Sequence, residues 1–173
     1  MNKTLDIRFT GEPGLGRRLS NLFPYKFTFD GITYASMEAF FGCLRTASWI
    51  EKQKLYSASG MDSWNMGHKH MTWYSSQTVN YNGITINRSS VEYDDLITSA
   101  FDALFANEDF KQALMETGDC KLIHTIGKTA KNKTLLTRKE FIGHLNRLRN
   151  KLYERKFYNI FEFLETQEGN TEE

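Results

Sequence analysis

Glu38 is the residue of this sequence best placed to do acid–base chemistry from a defined position. Before it, Asp30-Gly31 joins the apolar-rich segments 26–29 and 32–34, which predicts a type I′ hairpin because both loop positions require positive φ. Ser36 then predicts a helix N-cap, which puts Glu38 near the second helical position. A carboxylate there interacts favourably with the free amides and the positive end of the helix dipole. Stabilisation of the helix end is therefore a sufficient explanation of Glu38 from spacing alone.

The residues around Glu38 resemble the signature of the NADAR (YbiA-like) family. The family pattern is a Leu-Ser-Asn-Phe loop, an Asp-Gly hairpin and a Tyr-x-Thr/Ser-x-Glu-His helix start, followed by a Gln and a Lys. The chain departs from this pattern at Ala39, where the family has His, and at Gly42, where it has Gln, whereas Arg45 keeps the positive charge. The matching positions are Ser20, Asn21, Asp30, Gly31, Tyr34, Ser36 and Glu38.

The resemblance implies an activity. The NADAR family is named for its association with NAD and ADP-ribose, and it includes N-glycosidases that act on ribosylated bases. The chain is therefore expected to be a hydrolase that cleaves the N-glycosidic bond of an ADP-ribosylated or ribose-phosphate-bearing base, with no cofactor. This chemistry needs a carboxylate, assigned to Glu38, an aromatic surface for the base, and cations for the phosphates. The expected substrate-binding residues are Arg8, Arg17, Ser20, Asn21, Tyr34, Phe41, Arg45 and Trp73.

Farther along the chain the resemblance becomes partial. Segment 105–123 resembles the family's Phe-x-x-Asn…Thr-Gly-Asp…Leu block, but His124 follows where the family has Glu. Ser89 aligns with a functionally important Trp of the family, and Trp73 lies at about the distance needed to supply that aromatic ring from another backbone position. Segment 77–87 is a hairpin that the family lacks or shortens, and the Lys/Thr-rich loop Gly127–Thr137 replaces two further family segments.

These departures keep two other functions open. The first is a non-catalytic protein that binds ADP-ribose or another NAD derivative, because the His, Gln, Trp, Glu and Asp positions of the family are missing. The second is a nucleic-acid-binding protein that uses the basic C-terminal third. Residues 92–119 hold eight acidic residues and one basic residue, Lys111, whereas residues 121–156 hold eleven of the twenty-two Lys and Arg residues. This distribution is equally compatible with a phosphate-bearing partner and with a solvated helix face.

Within the basic third, five cations lie across twelve residues of the loop and the helix start that follows it. They are Lys128, Lys131, Lys133, Arg138 and Lys139. Each phosphate contact adds salt-sensitive attraction without demanding a specific shape. The loop therefore predicts a preference for ADP-ribose carried on a nucleic acid over the free nucleotide.

The hydrophobic pattern predicts an α+β, predominantly helical fold: a single compact NADAR-like domain over residues 1–164, with an N-terminal strand at Thr4–Thr10 and short hairpins. The acidic tail 165–173 is expected to be disordered. Helix starts are predicted by the capping residue Asn107 and by the boxes Ser48-x-x-Glu51, Ser89-x-x-Glu92 and Thr137-x-x-Glu140. The segment Phe157–Leu164 is apolar enough to dock on the domain.

The same sequence argues against several other classes of protein. No apolar run approaches the length of a membrane helix and no signal peptide precedes the domain, so a cytoplasmic location without membrane contact is expected. Cys43 and Cys120 lie far apart, which favours free thiols over a disulfide. The pairs His68-x-His70 and Cys120-x-x-x-His124 do not have the spacing of a recognised metal site, so no metal is predicted.

Overall fold

The computed structural model describes the backbone of residues 3–168 and the side chains of residues 3–154. Its fold is α+β and predominantly helical, as predicted. The helices are α1 (Leu15–Arg18), α2 (Met37–Leu44), α3 (Trp49–Tyr56), α4 (Gly60–Gly67), α5 (Thr72–Ser76), α6 (Val91–Leu104), α7 (Glu108–Glu116) and α8 (Arg138–Glu168). The strands are β1 (Thr4–Asp6), β2 (Phe27–Phe29), β3 (Ile32–Tyr34), β4 (Thr78–Tyr81), β5 (Ile84–Asn87) and β6 (Lys121–Ile123), and a short 3₁₀ turn spans Lys131–Lys133.

Both predicted hairpins are present. Strands β2 and β3 pair antiparallel around Asp30 and Gly31, whose φ angles are 48° and 76°. Strands β4 and β5 pair in the same way around Asn82 and Gly83, with φ angles of 47° and 78°. Positive φ at both central residues is the type I′ geometry, which matches the right-handed twist of the flanking strands.

The N-terminal strand is shorter than predicted and has a partner that the sequence pattern did not indicate. β1 pairs in parallel with β6, with Leu5 opposite Leu122, and covers three residues instead of the seven from Thr4 to Thr10. Its length is limited by its partner, since β6 is itself only three residues long. One more bond, from the Ile7 amide to the Ile123 carbonyl at 2.8 Å, extends the contact and ties the start of the domain to its C-terminal third.

The core forms around α2, whose eight residues are all buried. This helix packs against α3 and α4 on one side and against the first hairpin, and its Phe40 makes edge-to-face contacts with Phe29, Tyr34 and Phe41. Helices α6, α7 and α8 contribute further apolar residues to the same core, including Phe101, Phe110 and Leu145. The apolar stripes predicted for α6 and α8 are therefore the faces that pack.

Helix capping follows the sequence closely, with one correction. Ser48 and Asn107 each accept a hydrogen bond from the amide three residues later, and Thr137 and Glu140 form a reciprocal capping box. The predicted cap at Ser89 is wrong. The Ser89 amide instead donates to Asn87 Oδ1, so the helix begins one residue later, with Ser90 accepting from the Tyr93 amide.

Helix α8 continues to Glu168, within the predicted acidic tail, and residues 169–173 of that tail lie outside the described residues. The predicted docking of Phe157–Leu164 concerns side chains that are likewise outside the described part, so that prediction and the 164/165 boundary stay predictions. None of the described helices is long and apolar enough to cross a membrane.

Candidate active site

A cavity of about 420 Å³ opens beside the N-terminal half of α2. The loop before the first hairpin, helices α2 and α4, the turn after β6 and the loop Gly127–Thr137 contribute to its wall. Its volume lies within the range of about 300–1,000 Å³ that is typical of small-molecule sites. Glu38 is the carboxylate that lines it within the described residues, beside the cations Arg45, Lys128 and Lys133.

Glu38 forms a buried ion pair with Arg45. The Arg45 Nη1 donates to Glu38 Oε1 at 3.0 Å, and the two side chains are only 9% and 8% exposed. Arg45 is the C-cap residue of α2 and follows Glu38 by seven residues, about two helical turns, so the two side chains project from the same side of the helix. The Arg45 Nε is buried and has no hydrogen-bond partner among the described residues, a donor that a buried arginine would normally satisfy.

The loop containing Ser20 and Asn21 fixes the start of α2. The Asn21 carbonyl accepts a hydrogen bond from the Glu38 amide at 2.9 Å, and the Ser20 Oγ accepts one from the Leu22 amide. Ser36 caps the helix by accepting from the Ala39 amide and donates its own hydroxyl to the Ala58 carbonyl. Glu38 is therefore the second residue of α2, as the sequence predicted, and its backbone is held from two directions.

Glycines bring α4 close enough to α2 to complete the cavity. A Cβ built on Gly67 would lie 2.9 Å from the Gly42 Cα and 2.8 Å from Arg45 Nη1, so a larger residue at position 67 would displace the helix or the guanidinium. Trp64 of α4 stacks on His68, the C-cap residue of that helix, with 4.0 Å between ring centroids and 23° between planes. Both rings line the cavity, and Trp64 is 40% exposed.

Two imidazoles of the cavity have defined orientations. The Nδ1 of His68 lies 2.9 Å from the Trp64 carbonyl and therefore carries the proton, which leaves Nε2 as the acceptor in the neutral ring. Burial and then the charge of Arg45 hold the pKa of His68 below its ordinary value, against the opposing effect of Glu38. In the same way, the Nδ1 of His124 lies 2.5 Å from the Ile7 carbonyl.

The structure brings five of the nine predicted site residues to this cavity: Ser20, Asn21, Glu38, Phe41 and Arg45. The other four lie elsewhere. Arg8 is exposed and pairs with Asp6 at 3.3 Å, whereas Arg17 lies with its guanidinium carbon 4.5 Å from the ring centre of Phe9, a cavity residue.

Tyr34 and Trp73 are buried in the core and do not line the cavity. Tyr34 stacks on Phe27, and its hydroxyl pKa is raised by burial. Trp73 packs edge-to-face on Tyr74, and its indole nitrogen has no partner among the described residues. Of the three aromatic residues predicted to face the base, Phe41 alone lines the cavity. Trp64, Phe9 and Phe141 complete its aromatic wall.

Sequence reasoning missed Trp64, His68 and His124 as residues of the cavity. The available signal was their spacing: Trp64 and His68 are four apart beside Met66-Gly67, and His124 occupies the position of a family Glu. Both cysteines are free thiols outside the cavity. Over the described part of the chain, no group of three or more His, Cys, Asp or Glu residues is arranged to hold a metal ion.

Comparisons with known proteins cover most of the chain. A family model described as bacteriophage protein GP30.3 matches residues 15–150. The chain is 29% identical over 136 residues, 78% of its own length and 90% of the relative's, to an uncharacterized 17.1 kDa protein of the Gp30-rIII intergenic region of Enterobacteria phage T4. Its fold is similar to the NMR structure of the E. coli protein YbiA, with a TM-score of 0.57 and 18% identity over 91% of this chain and 89% of YbiA.

Proposed function

Because the chain belongs to the bacteriophage GP30.3 protein family and is a divergent NADAR-like protein, we propose that it is a hydrolase that cleaves an N-glycosidic bond. The substrate is an ADP-ribosylated or ribose-phosphate-bearing base. The observation that carries the proposal is the buried Glu38–Arg45 pair on a nucleotide-sized cavity with an exposed aromatic face, that of Trp64.

The reaction breaks the bond between the ribose C1 and a base nitrogen and forms a bond from C1 to water oxygen. Glu38 takes the proton of the attacking water or stabilises the positive charge that develops at C1. The departing base nitrogen takes up a proton from solvent water, since the neutral ring of His68 directs its one N–H at the Trp64 carbonyl and its Nε2 is an acceptor. Arg45 orients the Glu38 carboxylate by holding one oxygen at 3.0 Å.

The test is release of free base from ADP-ribosyl-guanine or from a ribosylaminopyrimidine phosphate. Glu38→Gln keeps a hydrogen-bond acceptor for Arg45 but removes the charge, so turnover should fall by at least about 100-fold, the usual scale of general-base catalysis. Glu51→Gln is the matched control, because Glu51 is a partly exposed carboxylate on α3 that pairs with Lys54. Unchanged turnover in Glu38→Gln would remove Glu38 from the mechanism.

A second candidate is a binder of ADP-ribose or an NAD derivative without catalysis. It is favoured by a specific feature: one carboxylate lines the cavity in the described part of the chain, and one of its oxygens already accepts from Arg45. Many glycosidases use two carboxyl groups. Calorimetric titration with ADP-ribose, run beside the base-release assay, separates the candidates, since heat of binding without base release on any substrate supports the binder.

A further inference from the structure

The loop Gly127–Thr137 is held against the rest of the domain by hydrogen bonds. Three of its carbonyls accept hydrogen bonds from side chains outside it: Asn132 from Gln77 at 3.3 Å, Thr134 from Arg88 at 2.9 Å, and Leu135 from Tyr93 at 2.6 Å. Two of these donors, Gln77 and Arg88, flank the β4–β5 hairpin. The two segments by which the chain departs from the NADAR pattern, the hairpin and the loop, are therefore one connected unit.

Arg88 is the central anchor of this unit. Its side chain is fully buried, its Nη2 pairs with Glu140 Oε2 at 2.7 Å, and its guanidinium carbon lies 4.6 Å from the Tyr93 ring centre. Burying a guanidinium is unfavourable unless hydrogen bonds and an opposite charge compensate for its lost hydration. The bonds from Nε to the loop and from Nη2 to α8 supply part of that compensation, while the buried Nη1 has no partner among the described residues. The loop position and the burial of Arg88 therefore depend on each other.

The three loop lysines face different surroundings. Lys128 and Lys133 line the cavity beside Glu38, and the Lys133 Nζ lies 2.6 Å from the Tyr74 hydroxyl. Lys131 lines a separate neighbouring cavity, and it pairs with Asp94 and with Glu140, each at 3.4 Å. Lys128 makes no ion pair with any described residue.

Among the described residues, the charged groups of the cavity wall are thus one carboxylate, Glu38, and three cations, Arg45, Lys128 and Lys133. Because Arg45 and Glu38 neutralise each other, the excess positive charge belongs to the two loop lysines. An ammonium group has three N–H donors, and Lys133 uses one on Tyr74, which leaves donors for a ligand.

We propose that Lys128 and Lys133 form a phosphate-binding subsite of the cavity, and that Arg88 is the positioning residue that holds both lysines in place. The ligand class is a nucleotide or sugar phosphate whose phosphate oxygens meet the loop while its base and ribose lie toward Glu38 and Trp64. This inference rests on the proposed function for the identity of the substrate, but the binding of phosphate itself is measured separately.

The experiment compares ADP-ribose with adenosine, which has no phosphate, by calorimetry on the full chain. Lys128→Ala and Lys133→Ala should each weaken ADP-ribose binding about tenfold, on the scale of a charge-assisted hydrogen bond, and leave adenosine binding within twofold. Lys139→Ala is the matched control, because Lys139 carries the same charge next to the loop, on α8, but lines the neighbouring cavity and not the one with Glu38. It should leave both ligands within twofold. Equal losses for all three variants, or proportional losses for ADP-ribose and adenosine, would overturn the subsite.

The role of Arg88 requires a readout that a general loss of stability does not produce. Arg88→Met should raise the dissociation constant of ADP-ribose but not that of adenosine, measured at a temperature where circular dichroism shows a folded chain. If this variant does not fold, Gln77→Ala removes another hydrogen bond that anchors the same loop. It should also raise the dissociation constant of ADP-ribose and not that of adenosine, by a smaller factor. Equal effects on both ligands in these variants would remove the positioning role.

The two proposals fail in different ways. If the wild-type chain never releases base while ADP-ribose binding still depends on Lys128 and Lys133, the hydrolase proposal is wrong and the subsite stands. If base is released and Glu38→Gln abolishes it, but Lys128→Ala and Lys133→Ala behave like Lys139→Ala, the hydrolase stands and the subsite is wrong.

Discussion

At the scale of single residues, the stack of Trp64 on His68 gives a spectroscopic view of protonation in the cavity. Protonated imidazole quenches tryptophan fluorescence on contact, and the two ring centroids are 4.0 Å apart. Burial and the charge of Arg45 lower the pKa of His68 from its ordinary value of 6.5. His68 is therefore neutral at pH 7, and quenching of Trp64 should appear only as the pH falls below about 6.5.

The charges around His68 give this prediction a direction that can be checked. Glu38 raises the pKa of His68, so Glu38→Gln should move the quenching midpoint to lower pH. The signal is the difference between the wild type and Trp64→Phe, because Trp49 and Trp73 also fluoresce. A quenching midpoint at or above pH 6.5, or the same pH-dependent loss of fluorescence in Trp64→Phe, would contradict the prediction that His68 quenches Trp64.

At the scale of the elements, the close contact between α2 and α4 sets the geometry of the cavity. Gly67→Ala should place a Cβ 2.9 Å from the Gly42 Cα and 2.8 Å from Arg45 Nη1. Overpacking of this kind costs about 1–3 kcal/mol of unfolding free energy, and the displaced Arg45 should lower base release as well. Denaturant unfolding and the base-release assay measure the two effects.

Gly143→Ala is the control for helix propensity, because Gly143 lies within α8 and a Cβ there meets nothing within 4 Å. This substitution should be neutral or should stabilise the chain by up to about 1 kcal/mol. If Gly67→Ala behaves in the same way, the α2–α4 contact is more adaptable than its distances indicate.

Local signals explain why the elements were predicted better than the site. Asp30-Gly31 and Asn82-Gly83 set their turns through their own φ preferences, and Thr137 with Glu140 specifies a helix start within four residues. The pairing of β1 with β6 is different, since it joins Leu5 to Leu122 and leaves no local periodic signal.

The residues of the candidate site divide in the same way, into those indicated by local sequence and those brought in by tertiary contacts. Ser20, Asn21, Glu38, Phe41 and Arg45 belong to one stretch of sequence, and the structure brings them together on the cavity. Trp64 and His68 reach that cavity only because Gly67 lets α4 approach α2, and His124 reaches it through the β1–β6 pairing. These are tertiary contacts, so hydrophobic period and spacing in the sequence could not reveal them.

At the scale of the whole molecule, the acidic and basic blocks of the sequence partly neutralise each other. Asp102 of α6 pairs with Arg147 at 2.7 Å and with Lys151 at 2.8 Å, both on α8, and Asp94 pairs with Lys131. The charge asymmetry predicted an acidic part that repels anions and a basic part that gathers them. Three of the basic residues are instead engaged with the acidic block, which leaves Lys128 and Lys133 as the loop cations that face the candidate active site.

This pairing bears on the expected preference for ADP-ribose carried on a nucleic acid, which stays a prediction. If nucleic acid binds along α8, Asp102→Asn should release Arg147 and Lys151 for phosphate contacts and strengthen binding to a DNA duplex at low salt. The slope of log K against log salt concentration should steepen by up to about 1.8, since each contact contributes about 0.9. Stability should change by no more than about 1 kcal/mol, because these groups are partly exposed.

Glu12→Gln is the control for net charge. It removes the same charge from a loop glutamate that pairs with no described residue, and it should leave the slope unchanged. If both variants shift binding equally, net charge governs the interaction and α8 is not its surface.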